Sequence, residues 1–193
     1  PSVWIDHDAY RQQRHKQCAF NLYVSAMLSH AFIPLCEAMK RKEWIPKAAE
    51  AAKKIKEGVH RSYWSDQHQT FINNLPWLQE EGSLRMCDRS LATAILYAMC
   101  PRDVTAPSAE LLAGNPPEMG LSFPANAGWR LWALSHAGKT DVVIRQLQQR
   151  WASMESVALN NTISEGWDPR PDTGDQWSHC AVVPVYVLFM DVV

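Results

Sequence analysis

The chain has 193 residues and a mass of 21.9 kDa, the size of one domain able to bury about 70% of its unfolded surface. Nineteen basic against twenty acidic side chains leave a net charge of −1 and a pI near 6.8, which lacks the concentrated positive charge that nucleic acid or anionic lipid rewards as a main partner. At 47% apolar and 20% charged, with a mean hydropathy of −0.28, the composition is that of an ordinary globular protein; no run of about 18 uninterrupted apolar residues is present, so no membrane span is predicted, and Pro1-Ser2-Val3-Trp4 carries no signal layout that would reveal a compartment.

Along the chain the dominant period is helical. Phe20, Val24, Met27 and Ala31 recur at four, three and four residues and predict one buried stripe, with Pro34 expected to kink or end the helix. A second stripe runs through Ile45, Ala48, Ala49, Ala52, Ile55 and Val59, opposite Lys53, Lys54, Lys56 and Glu57, with Pro46 placed in its first turn. A third takes Leu91, Ala94, Ile95, Ala98 and Met99 and stops before Pro101. A short helix from Ser108 to Ala113 is closed by Gly114 in the usual position after a helix end. Next come two helices joined by Gly138-Lys139-Thr140-Asp141: one over about Ala127 to Ala137, the other carrying Val143, Leu147, Trp151 and Met154 on one stripe. So short a loop makes them antiparallel neighbours. The final run, Ala181 to Val193, is rich in valine, but its length favours a buried helix. Three long segments, Tyr63–Arg85, Asn115–Pro124 and Asn160–Ser178, separate the helices and hold Trp64, Trp77 and Trp167 among acids, which suits ordered loops at one mouth of a helical array. The chain opens without Met and stops inside an apolar run, from which a piece of a longer protein is expected.

Five scattered cysteines, with no C-x-x-C pair, fit neither a disulfide framework nor a zinc site and read as buried free thiols. Asp6, His7 and Asp8, like Asp66 and His68, are spaced as solvated charges rather than metal ligands, so no metal is expected. No G-x-S-x-G, H-E-x-x-H, phosphate-loop or dinucleotide fingerprint is present. Nine tryptophans against five tyrosines and five phenylalanines suit sugar rings as well as cores. In Thr162-Ile163-Ser164-Glu165-Gly166-Trp167 a carboxylate sits beside an indole, and Trp177-Ser178-His179 opens the last helix. A Glu, a Trp and a His at one mouth make a plausible carbohydrate site, with Glu165 as acid or base. From spacing alone a solvated loop charge is the commoner fate of such a Glu, and His179 reads equally as a capping or core histidine.

Five stretches in fixed order resemble the C-terminal half of the six-hairpin, (α/α)6-barrel domain of the α-L-rhamnosidases, glycoside hydrolase family 78. Val3-Trp4-Ile5-Asp6 resembles "F-I-D-W", and Tyr63-Trp64-Ser65-Asp66…Thr70-Phe71 resembles "Y-W-D…G-L-F". Trp132-Ala133-Leu134…Gly138…Asp141 with Arg150-Trp151-Ala152-Ser153-Met154 resembles "A-L…G…D" leading to "R-W-G-x-M". Thr162 to Trp167 resembles "T-T-x-W-E-x-W", and Ser178-His179-Cys180-Ala181…Pro184 resembles "S-x-x-H-x-W…P".

The resemblance implies an all-α fold, a partial toroid of antiparallel helix pairs, with residues 1–193 forming the C-terminal portion of the catalytic domain. It implies hydrolysis of terminal α-L-rhamnose with inversion, in which two carboxyls roughly 6.5–9.5 Å apart admit a water. Glu165 would be the general base. Trp167 and His179 would bind rhamnose, with Trp129, Trp4 and Asp6 as further binding candidates. No cofactor is implied, and the implied partners are a rhamnose-containing carbohydrate and the remainder of the chain's own barrel. Three departures stand out. The family's acidic motif "D-E-R-x-G-W-x-G-D" has no counterpart here, Ser164 stands where Trp is commoner, and His7 replaces a Trp. Two other functions stay open: another (α/α)6 hydrolase, or a non-catalytic helical-hairpin module that binds carbohydrate or protein. A solenoid of repeats would show a fixed period of about 34–47 residues, and none is visible.

Overall fold

The computed structural model describes residues 17–72, 86–101, 104–168 and 182–193. Its helices form two layers. Helices α1 (Gln17–Met27), α4 (Asp88–Leu96), α6 (Pro124–His136) and α9 (Val183–Val187) stand as successive neighbours in one row. Behind them pack α3 (Ile45–Tyr63), which leans on α1, α5 (Thr105–Gly114), on α4 and α6, and α7 (Thr140–Gln146), on α6. Two further short helices, α2 (Ile33–Ala38) and α8 (Glu155–Asn160), complete the described set. This is the expected arc of antiparallel helix pairs, built where hairpin turns are short: residues 39–44 between α2 and α3, and 137–139 between α6 and α7.

Local chemistry accounts for the ends of these helices. Gly138 adopts φ 72°, the left-handed turn that a glycine allows at no steric cost. At the end of α5 the expectation fails by one residue: Gly114 belongs to the helix and Asn115 takes the left-handed position, φ 50°. Asparagine tolerates that conformation, so the turn does not need the glycine. Pro34 does not end its helix. The turn before it, Leu28–Phe32, widens to a π-turn in which the Ile33 N–H reaches the Leu28 carbonyl, and helix continues to Ala38. A widened turn offers a place for a ring that cannot donate.

The face of α1 also differs from expectation. Its buried residues are Cys18, Ala19, Leu22, Ser25 and Ala26, whereas Phe20 and Met27 are 39% and 48% exposed. Because α1 is apolar nearly all round, period alone does not choose its face. Small side chains win, since they let α3 approach: Ala48 and Ala52 are buried, and Ser25 Oγ donates to the Ala52 carbonyl at 2.9 Å. Among the described residues the continuous stretch Gln17–Ala38 is long and apolar enough to cross a membrane by length and composition, a feature that the count of uninterrupted apolar residues misses. Here it packs on α3 and α4.

Helix α4 is the centre, with every residue from Asp88 to Ile95 buried. The last segment is helical, as expected, but buried only at Pro184 and Val187, so the expectation of a buried helix is corrected: α9 has α6 on one side and little on the other. Gly128 of α6 makes that one contact close, since a Cβ there would meet Val183 Cβ at 2.5 Å.

Candidate functional site

Loops from four parts of the chain meet at one end of the array. Strand β1 (Trp64–Ser65) pairs antiparallel with β2 (Thr70–Phe71), Ile72 bridges Met86, and β3 (Met86–Cys87) pairs parallel with β4 (Met119–Gly120). These short ladders carry the chain straight into α4 and α6, so the first residues of both helices lie at the same mouth. There the buried Asp88 carboxylate accepts from the Ser122 N–H (3.0–3.1 Å) and from the Ser122 hydroxyl (2.7 Å). A carboxylate in the first turn of a helix is also favoured by the helix dipole.

The loop that carries Glu165 is tied into this mouth. Asn161 ends α8 in the left-handed region, φ 54°, and the Thr162 N–H donates to the Ser156 carbonyl at 3.2 Å. Ser164 is fully buried, its hydroxyl 3.1 Å from Ser156 Oγ and donating to the Gly166 carbonyl at 2.9 Å. A serine where the resembled motif favours Trp therefore serves as a staple within its own loop. Trp167 is fixed on three sides. Its indole N–H donates to the Ser122 carbonyl at 3.0 Å, buried Trp151 meets it edge-on at 4.9 Å, and the Arg150 guanidinium lies over its ring at 3.7 Å. Half-buried Glu165 is thus held between two anchored neighbours, Ser164 and Trp167.

A buried cation, Arg130, and a half-buried one, Arg150, flank this corner. Arg130 is nearly fully buried, with Nε donating to Gln146 Oε1 (3.2 Å), Nη1 directed at Met119 Sδ (3.7 Å) and Nη2 donating to the Leu112 carbonyl. Burial lowers its pKa to about 10, Asp88 opposes the shift and Arg150 adds to it. Arg150 is also lowered by burial and supported by Asp88.

Of the six residues singled out in the sequence, Glu165 and Trp167 share this loop. Trp129, on α6, stands apart in an aromatic row with Tyr23 (5.9 Å), Tyr97 (6.5 Å) and Trp132 (5.6 Å), beside a cavity of about 310 Å³. Trp4, Asp6 and His179 lie outside the described residues. Asp66 receives the Trp64 indole N–H at 2.9 Å. The four described cysteines are free thiols, three of them buried. Among the described residues no cluster of three His, Cys, Asp or Glu side chains could hold a metal. Sequence reading missed Asp88, Ser122 and the role of Arg150. Asp88 alone had a local signal, an acid at the first residue of an apolar helix.

No protein-family model matches the chain, and no curated protein matches it significantly. Solved structures do. A GH78-family rhamnosidase of Bacillus sp. GL1 superposes with a TM-score of 0.71 at 17% identity, over 97% of this chain and 20% of that one. A rhamnosidase from Klebsiella oxytoca with rhamnose bound gives 0.71 at 19% identity, over 96% of this chain and 36% of that one. The chain therefore spans a fifth to about a third of the length of these proteins. At such identities the likeness concerns architecture: this chain has the helical-pair fold of one portion of the GH78-family rhamnosidase chain.

Proposed function

We propose that residues 1–193 form part of a six-hairpin glycosidase domain that hydrolyses terminal α-L-rhamnosides by inversion, with Glu165 as the general base. One observation carries this reading: a half-buried carboxylate is held between stapled residues at the loop end of a helical array with the fold of rhamnosidases. In an inverting step the base takes a proton from water as the water oxygen attacks C1, while an acid protonates the departing glycosidic oxygen. Glu165 suits the first task because its loop cannot swing freely, and fixed geometry makes proton transfer effective. The acid belongs to the remainder of the ring, as do further sugar contacts. Trp167 offers a sugar only the part of its ring that Arg150, Trp151 and Ser122 leave open. Trp129, His179, Trp4 and Asp6 complete the proposed sugar-binding set.

The test is release of aryl alcohol from an aryl α-L-rhamnoside by the intact protein and by Glu165→Gln at equal folded concentration. The expected loss is about 10²–10⁴-fold, the scale for a general base. An active parent with an undiminished variant would remove Glu165 from the mechanism. Turnover of other aryl glycosides alone would assign a different (α/α)6 hydrolase, and silence on every sugar would assign a binding module.

A further inference from the structure

Trp167, the anchor two residues beyond Glu165, is reached from Asp88 by two routes. Ser122 supplies the first. Its N–H and its hydroxyl both donate to the Asp88 carboxylate, at 3.0–3.1 Å and 2.7 Å, while its own carbonyl accepts the Trp167 indole N–H at 3.0 Å. One serine, held at three atoms, thus joins the first turn of α4 to the loop of Glu165. Arg150 supplies the second route. Its guanidinium lies over the Trp167 ring at 3.7 Å, and the Asp88 charge favours its protonated form against the opposing effect of burial. The indole N–H and one face of the same ring therefore both trace back to a single carboxylate.

That carboxylate is 1% exposed. A neutral side chain at the start of α4 would accept from Ser122 without the cost of burying an anion. What the charge adds is strength: hydrogen bonds to an ionised acceptor are roughly twice as strong as neutral ones, and so hold their donor in narrower geometry. Beyond Trp167 the link to Glu165 is short. Gly166 alone lies between them, and its carbonyl accepts from the hydroxyl of fully buried Ser164 at 2.9 Å. A general base works only within hydrogen-bond reach of its water, and a displacement of about 1 Å is enough to cost roughly 10²-fold in rate.

We propose that Asp88 is a positioning residue for the Glu165 carboxylate, acting on Trp167 through Ser122 and Arg150. The inference rests on the proposed glycosidase reading and adds to it a residue that fixes the loop of the base and exchanges no proton itself.

The experiment measures kcat of the intact protein on an aryl α-L-rhamnoside, at saturating substrate and equal folded concentration. Asp88→Asn, Ser122→Ala and Ser122→Thr are each compared with Glu165 present and in Glu165→Ala. Asp88→Asn is expected to lower kcat by about 10–10²-fold, the scale of a misplaced group. Ser122→Ala should move the same way by less, and Ser122→Thr, which keeps the hydroxyl, should stay near the parent. Glu165→Ala has no base left to position, so there the same changes are expected to leave the residual rate, with azide or without, within about twofold. Thermal melts count the folded fraction, and Ser122→Ala carries the test if Asp88→Asn does not fold. Parental kcat in whichever of these two variants folds would overturn the positioning role. So would an equal loss with and without Glu165, which would assign Asp88 to the fold or to sugar binding. An inactive parent, or an active one undiminished by Glu165→Gln, would fall instead on the glycosidase reading and take the positioning role with it.

Discussion

Helices α4 and α9 belong to the same row and are both rich in apolar side chains, yet they end in opposite environments. From Asp88 to Ile95 every residue of α4 is buried, including Asp88, Arg89, Ser90 and Thr93. In and beyond α9, Val185 and Tyr186 are exposed and Phe189 is 68% exposed. Side-chain type does not explain this, since α9 and its turn are the more apolar of the two. Neighbours do: α4 has α1 and α6 on its flanks and α5 behind, while α9 has α6 on one flank. Composition sets what a helix is able to bury, and its place in the row sets what it does bury. Open apolar edges at α9 and at Phe20 and Met27 of α1 support the proposed reading of the chain as an arc within a larger helical ring.

The contrast can be broken or sharpened by substitution. Leu131→Ala, at a fully buried position of α6, is expected to lower unfolding free energy by about 2–5 kcal/mol in urea titration, because α6 is packed on both flanks. Gly128→Ala forces α9 away from α6 and is expected to cost about 1–3 kcal/mol. Ser122→Ala removes one of the donors to buried Asp88, at about 1–2 kcal/mol, while Ser122→Thr keeps the hydroxyl and should recover most of it.

Half-buried Cys100 follows the end of α4, and burial pushes its thiol from 9.0 up to about 11, against the lowering effects of Ser108 and Lys56. The unfolded thiol ionises first as pH rises, so the unfolded state then binds fewer protons and stability falls. The contribution is whole below about pH 9 and is lost by about pH 11. The urea midpoint should therefore drop across that window, and less steeply in Cys100→Ala. Phe189→Ala, at the open edge, should change stability by no more than about 0.5 kcal/mol. A loss comparable to that at Leu131 would show that α9 is covered after all.

Much of this architecture is legible in the chain because its signals are local. The α3 stripe from Ala48 to Val59 and the Gly138 turn follow from period and glycine, whereas α4 ends at Leu96, short of the expected stop before Pro101, with Ala98 in the left-handed region at φ 50°. What is illegible depends on partners distant in sequence. The face of α1 is chosen by the small residues of α3, the π-turn before Pro34 by accommodation of a missing donor, and the Asp88–Ser122 bond joins residues 34 apart. At the candidate site the Glu-x-Trp pattern drew attention to a loop that the structure anchors at Trp167, but the Arg150 contact on that ring arises only when a helix end meets a loop.

The most direct test of Glu165 is chemical rescue. In Glu165→Ala, water loses its base but azide, which needs none, fits the space left by the carboxylate and attacks C1 as the aryl oxygen departs. The account predicts an inactive variant restored by azide, with β-L-rhamnosyl azide as the inverted product. A variant as active as its parent without azide, or rescue that yields the α-azide, would contradict it.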